Sequence, residues 1–200
     1  MSTANLIRWS GVAGFLAGLL YALGALLHPV GEDLVSVTDP KWVPSHLVYW
    51  ASAILLLFSL VGLYARQTEK SGWLGFVGFI LALIGTAMVG SIFFISSTVI
   101  PLVAVGSPDF FEQASTPPAF IPVIIVGFVL GYILFGIATM RAGIFSRWSG
   151  LMLIIGSSFF LISEMPLFDR TLSHLIVTVG DVIFGIGFVW MGYALWSEKR

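Results

Sequence analysis

Cysteine is absent from the 200-residue chain, and charged side chains are scarce. The absence of cysteine excludes disulfides, iron–sulfur clusters, covalently attached haem and a thiol nucleophile. Charged residues make up 10% of the chain, whereas a soluble domain carries about 25%. Nine Lys and Arg face ten Asp and Glu, and this balance leaves no basic surface that would bind nucleic acid.

Apolar residues are abundant, at 58% of the chain with a mean hydropathy of +1.02. Such a chain has too few polar side chains to cover a globule in water. Its 17 Phe and long Leu, Ile and Val runs also exclude disorder. The composition therefore predicts an all-α, polytopic membrane protein whose main partner is the lipid bilayer.

Six stretches are long and apolar enough to cross a bilayer as helices. They form a single transmembrane domain over residues 1–200, built as a bundle of three helical hairpins at about 8–66, 72–141 and 147–196. His28-Pro29 ends the first span, and its apolar run through Leu26 and Leu27 favours a retained helix over a cleaved signal peptide. Ser45 and Ser173 are expected to cap the second and sixth spans. The spans are 8–28, 45–65, 72–99, 119–140, 148–165 and 171–196.

The charges outside the spans divide unequally between the two membrane sides. The side that holds both termini carries seven Lys and Arg against two Glu, 7 − 2 = +5, and the other carries two against seven acids, 2 − 7 = −5. An excess of Lys and Arg marks the cytoplasmic side. We therefore expect both termini in the cytoplasm.

The first and third hairpins contain similar sequences in matching places. Arg8-Trp9-Ser10-Gly11 opens the first span and Arg147-Trp148-Ser149-Gly150 opens the fifth, while Ser-His-Leu begins the second at Ser45 and the sixth at Ser173. The pattern predicts an internal repeat about an axis normal to the membrane. Interface chemistry alone, with snorkelling Arg and interfacial Trp, is the alternative.

Glycines in the spans predict close helix packing. Gly14 with Gly18 and Gly127 with Gly131 have the small-x-x-x-small spacing that lets two helix backbones approach. The fourth span is almost wholly apolar, which predicts contact with lipid or another subunit. This surface would serve a homo-oligomer or a larger membrane complex.

All three histidines fall on the acidic, outward side. His28 ends the first span, while His46 and His174 begin the second and sixth; Glu164 ends the fifth on the same side. A bis-histidine pair, His46 and His174, suits haem b, and three histidines with a carboxylate suit a divalent metal such as zinc. N-capping and interfacial packing are the structural alternative.

Asp181 lies near the middle of the sixth span, where a charge is costly. His174, Thr178 and Asp181 share one helical face. An intramembrane acid predicts a functional site, or else a hydrogen bond to a neighbour such as Ser157, Ser158 or Thr86. On the second span, Tyr49 and Trp50 would line a pocket beside this stripe, or form an ordinary aromatic belt.

The chain resembles families of bacterial integral membrane proteins of about six spans and this size. The resemblance lies in the Arg-Trp-Ser-Gly helix starts, in Gly75-Phe76-Val77-Gly78-Phe79 and in Gly192-Tyr193-Ala194-Leu195. These families carry no assigned activity, so the resemblance implies a fold and a bacterial inner-membrane location only.

The sequence favours an integral membrane protein that binds a small ligand, metal or haem in an outer-leaflet pocket between the first, second, fifth and sixth spans. A non-enzymatic accessory or scaffold subunit is one alternative. A metal-dependent hydrolase or a small-molecule transporter is another. Polar residues are expected in the outer half only, which argues against a complete transport path.

Overall fold

The computed structural model describes residues 2–113, 122, 124–163 and 165–198. These residues are helical with short connections, and none of them forms a strand. The helices are α1 (Thr3–Leu27), α2 (Leu34–Val37), α3 (Trp42–Thr98), α4 (Ile100–Gly106), α5 (Pro108–Gln113), a π-helical stretch (Ile125–Leu130), α6 (Gly131–Ala142), α7 (Arg147–Ser163) and α8 (Arg170–Ser197).

The long helix α3 folds back on itself at Gly72. Gly72 has φ 56° and ψ −158°, a conformation that glycine adopts without steric cost. The residues on either side form a first arm (42–71) and a second arm (73–98), which lie antiparallel. Tyr64 stacks on Phe79 near the bend, and Trp42 Nε1 donates to the Ser96 carbonyl at the far end, at 2.8 Å.

Consecutive long segments pack on each other antiparallel, and the last packs on the first. α1 lies between the first arm of α3 and α8, while the second arm of α3 packs on the π-helical stretch and α6. α7 then joins α6 to α8. The chain therefore closes into one unit in which α1 and α8 bring distant sequence together.

Glycines set the closeness of these contacts. A Cβ added at Gly18 would lie 2.2 Å from the Gly185 carbonyl oxygen, and one added at Gly85 would lie 2.2 Å from the Gly127 carbonyl carbon. Because lipid supplies no hydrophobic drive between helices, this contact of backbones supplies much of the attraction. The predicted role of the Gly14–Gly18 and Gly127–Gly131 pairs in packing is confirmed.

Aromatic side chains fill the middle of the core. Tyr132 of α6 meets Phe184 and Phe188 of α8 with ring centroids 4.7 and 5.8 Å apart. Its hydroxyl lies 2.6 Å from the Thr86 hydroxyl of the second arm. Tyr132 and Phe135 are fully buried, so the fourth predicted span turns one face inward rather than meeting only lipid or a subunit.

Four of the described stretches are long and apolar enough to cross a membrane: Thr3–Leu27, Trp42–Gly106, Ile125–Ala142 and Arg170–Ser197. Arg147–Ser163 is a shorter apolar helix. The all-helical class is confirmed together with a composition suited to a membrane. The count of six crossings remains a prediction.

Both predicted helix caps are wrong. α3 begins at Trp42, so Ser45 lies inside the helix and its Oγ donates to the Trp42 carbonyl at 2.8 Å. α8 begins at Arg170, with Asp169 as its N-cap. In each case the helix begins three residues before the predicted cap, because the preceding turn is polar and lies beyond the apolar run.

The two ends of the unit carry different charges. At one end Arg66 Nε donates to Glu198 Oε2 at 2.9 Å, and the Arg8 guanidinium lies over the Trp196 ring. At the other end Arg170 pairs with Asp33. Among the described residues the first end carries five Lys and Arg against two Glu, and the second carries two against six acids. We call these the basic end and the acidic end.

Candidate functional site

The three histidines lie together at the acidic end. His28 follows the last residue of α1, His46 lies in the first turn and a half of α3, and His174 lies near the start of α8. The His28 ring centroid is 4.8 Å from that of His46 and 6.0 Å from that of His174. Their predicted convergence from three distant parts of the chain is confirmed.

Each histidine uses one ring nitrogen on a backbone carbonyl. His28 Nδ1 lies 2.7 Å from the Pro29 oxygen, His46 Nδ1 lies 2.8 Å from the Trp42 oxygen, and His174 Nε2 lies 3.2 Å from the His28 oxygen. A carbonyl oxygen only accepts, so these nitrogens carry the hydrogens. In the neutral imidazoles the other nitrogens, Nε2, Nε2 and Nδ1 respectively, are bare acceptors.

Aromatic packing fixes the histidine cluster. Trp42 is 1% exposed, and its ring centroid lies 4.2 Å from that of His46 and 5.3 Å from that of His28. His46 is itself buried, at 3% exposure. The cluster is thus built on the start of α3, where Trp42 is anchored by its hydrogen bond to the second arm.

Asp181 accepts a hydrogen bond from Tyr49, which the sequence predicted as a pocket-lining aromatic residue. The Tyr49 hydroxyl donates to Asp181 Oδ2 at 2.6 Å. This bond joins the first arm of α3 to α8, and it replaces the expected partners Ser157, Ser158 and Thr86. Those three hydroxyls bond elsewhere: Ser157 and Ser158 to the Ile154 carbonyl, and Thr86 to Tyr132.

The tyrosine ring links the acid to the histidine cluster. The Tyr49 ring centroid is 6.3 Å from that of His28, and the ring stacks on Phe93 at 4.5 Å. Tyr21 of α1 meets it edge-on at 5.0 Å. We call His28, His46, His174, Tyr49 and Asp181 the outer site.

The remaining predicted pocket residues lie at its margins. Thr178 is partly buried on α8 between His174 and Asp181. Trp50 contacts Phe94, at a centroid distance of 5.3 Å. It lines a groove of about 400 Å³ between the two arms of α3, together with Ala53, Gly90 and Ser91. Trp50 therefore belongs to this groove, and Tyr49 alone of the predicted pair bonds to Asp181.

The metal and haem hypotheses find little support in this arrangement. Within the described residues no three His, Asp or Glu side chains are arranged to hold an ion, and Glu164 lies outside those residues. A porphyrin between His46 and His174 would need open space, but the His28 ring lies against both. The outer site does not fit either group.

At the acidic end Asp33 is ionised, whereas His28 in the cluster is neutral. The Ser36 backbone and hydroxyl, followed by the Arg170 guanidinium, lower the pKa of Asp33 to about 2. Burial, with the neighbouring His46 adding to it, lowers the pKa of His28 to about 4. His28 is therefore neutral at pH 7, with its bare Nε2 free to accept.

Two features were missed from the sequence. Trp42, which packs on His28 and His46, lies before the predicted second span, so hydropathy assigned it to a loop. Its spacing of four residues from His46 is the signal that would have placed both on one helix face. The second is a set of buried polar atoms at the basic end, on Gln67, Ser71 and Thr139. Gln67 and Ser71 lie between the second and third predicted spans, so hydropathy placed them in a loop rather than among buried residues.

The fold and the site define an all-helical protein with helices apolar enough for a membrane and an imidazole–tyrosine–aspartate cluster at one end. No protein-family model, curated protein or solved structure matches the chain.

Proposed function

We propose that this chain is a six-span protein of the bacterial inner membrane that binds a small, cationic, donor-rich ligand at its outer site. α1, the two arms of α3, the segment ending in α6, α7 and α8 would be the six crossings. Both termini would lie in the cytoplasm, because Lys and Arg favour that side. The acidic end would then face outward.

The proposal depends above all on the excess of hydrogen-bond acceptors in the outer site. Three imidazole hydrogens are already donated to backbone carbonyls, and the Asp181 carboxylate accepts from Tyr49. Arg170, a cationic side chain at the same end of the fold, is paired with Asp33. A ligand complementary to such a site brings N–H donors and positive charge, as a primary ammonium does.

The exposure of the site residues also favours a small cationic ligand. His28, His174 and Asp181 are each partly exposed, whereas His46 and Tyr49 are buried behind them. The Tyr49 ring, which meets Tyr21 edge-on, lies beside the carboxylate that its hydroxyl contacts, and aromatic rings attract cations. A small ammonium ion would therefore meet the histidines first and the carboxylate deeper.

The ligand test uses the full chain in lipid nanodiscs and thermal unfolding with ethylammonium. At ten times its Kd a ligand adds about 1.4 kcal/mol to the stability, so the melting temperature should rise. Tetramethylammonium, which has the charge but no N–H donor, should have a smaller effect. Asp181→Asn should abolish the response, and Asp109→Asn, an exposed acid at the same end, should retain it.

Equal responses to the two cations, or an undiminished response in Asp181→Asn, would contradict the proposal.

A separate experiment tests the topology. Because the chain has no cysteine, any introduced thiol is unique. Thr38→Cys at the acidic end should react with an impermeant maleimide added to whole cells. Thr68→Cys at the basic end should react only after the cells are opened.

A further inference from the structure

Buried polar atoms without partners gather at the basic end, far from the outer site. Gln67 is 1% exposed, and neither its Oε1 nor its Nε2 has a hydrogen-bond partner among the described residues. The same holds for Ser71 Oγ, at 7% exposure, and for Thr139 Oγ1, at 0%. Three side chains therefore present four unpaired polar atoms to the interior.

Two of these groups share a helix face and lie near α6. Gln67 and Ser71 are four residues apart on the first arm of α3 and so share a face. A Cβ added at Gly75, just after the bend, would lie 2.3 Å from Ser71 Oγ and 3.5 Å from the Ala138 Cβ of α6. Ser71 thus faces the turn of α6 that carries Thr139.

Leaving these groups unpaired would be costly. A buried donor or acceptor without a partner destabilises the fold, and the apolar surroundings of a membrane protein offer no alternative. The cost implies that something small and polar bonds to them.

The charges near these groups indicate a neutral occupant. Arg66 is engaged by Glu198, while Glu69 and Lys70 are exposed. Gln67, Ser71 and Thr139 themselves are uncharged and offer both donors and acceptors. An ion would find no opposite charge in this set, whereas water both donates and accepts.

We propose that Gln67, Ser71 and Thr139 form a binding site for ordered water within the basic end, between the first arm of α3 and α6. Buried water of this kind makes about three hydrogen bonds to polar groups that lack other partners. The site is independent of the ligand proposed for the outer site. It gives the basic end of the protein a buried polar site, which the aromatic core around Tyr132 and Phe184 separates from Asp181.

The chain offers a direct test, because it contains only two glutamines, Gln67 and Gln113. Protein labelled with ¹⁵N in the glutamine side chains gives two amide signals in bilayers, and Gln67→Met assigns them by removing one. We expect magnetisation transfer from water to both amides, with Gln113, which is exposed on α5, as the internal positive control. Transfer to Gln113 but not to Gln67 would overturn the proposal.

Thermal unfolding supplies a second, independent measurement. If Gln67 bonds to water, Gln67→Met removes those bonds and should lower the melting temperature by about 2–4 °C. Leu63→Met, one turn earlier on the same arm and fully buried, controls for introducing methionine and should have a smaller effect. A dry site predicts the reverse, because replacing unpaired polar atoms by a thioether would raise the melting temperature.

Discussion

The hydrogen bond between Tyr49 and Asp181 should stabilise the contact between α3 and α8. Tyr49→Phe deletes only the hydroxyl, so the ring remains stacked on Phe93 at 4.5 Å and 11° between planes. Hydrogen bonds to charged groups contribute about 1.5–3 kcal/mol in soluble proteins, but bonds between membrane helices average about 0.6 and reach about 1.7. At 2.6 Å, with Tyr49 buried and Asp181 partly buried, we expect about 1–1.5 kcal/mol.

A double-mutant cycle measures this energy without assigning the whole effect to either residue. The free energy of unfolding is measured in bicelles for the wild type, Tyr49→Phe, Asp181→Asn and the double variant. The double variant should cost about 1 kcal/mol less than the sum of the two single variants, because the bond can be lost only once.

Tyr132→Phe provides the matched control for the cycle. Its hydroxyl is also buried and also bonded at 2.6 Å, but to Thr86. Combined with Asp181→Asn it should be additive within about 0.3–0.5 kcal/mol. Additivity of the same size for Tyr49→Phe with Asp181→Asn would refute a direct coupling across α3 and α8.

Three further predictions concern packing, an ion pair and pH. Gly85→Leu should abolish folding or cost more than about 3 kcal/mol, since a Cβ already meets Gly127 backbone at 2.2 Å; Gly106→Leu, with nothing within 4 Å, should be nearly neutral in the same unfolding assay. Arg66→Ala should cost at most about 1 kcal/mol, because its pair with Glu198 is about one-third exposed, and the loss should shrink in high salt. Lowering the pH from about 6.5 to 4 should lower the melting temperature, because His28 takes up a proton in the unfolded chain but stays neutral in the folded protein, where its pKa is about 4. His28→Gln should reduce the dependence of the melting temperature on pH, and an unchanged dependence would contradict the prediction.

Hydropathy could place the histidines at one end because it fixes where each helix meets the membrane surface. His28 and His46 flank the loop after the first predicted span, and His174 opens the last, so parity alone puts them on one side. The structure adds the contact between their rings. A binding role for them stays a prediction, because depth along the bundle carries no information on ligands.

Helix rotation could not be predicted in the same way. Tyr49 and Asp181 are 132 residues apart, and their meeting depends on which faces α1, α3 and α8 turn toward each other. In soluble proteins the apolar stripe reveals the inward face, but here lipid and core are equally apolar. The orienting signal lies instead in small residues, such as Gly18 against Gly185, and these pairs are identified only once both helices are placed.

The two Arg-Trp-Ser-Gly helix starts are alike in structure as well as in sequence, but this likeness does not by itself imply duplication. Trp9 is 63% exposed and Trp148 is 62% exposed. A Cβ at Gly11 would lie 2.8 Å from the Gly192 carbonyl oxygen, and one at Gly150 would lie 2.7 Å from that of Gly136. Both motifs thus have the same structural role, with an exposed Trp and a Gly against a neighbouring backbone. Because any tightly packed helix that enters the membrane from the basic end needs both features, common function is a sufficient cause, and descent from one duplicated hairpin stays a prediction.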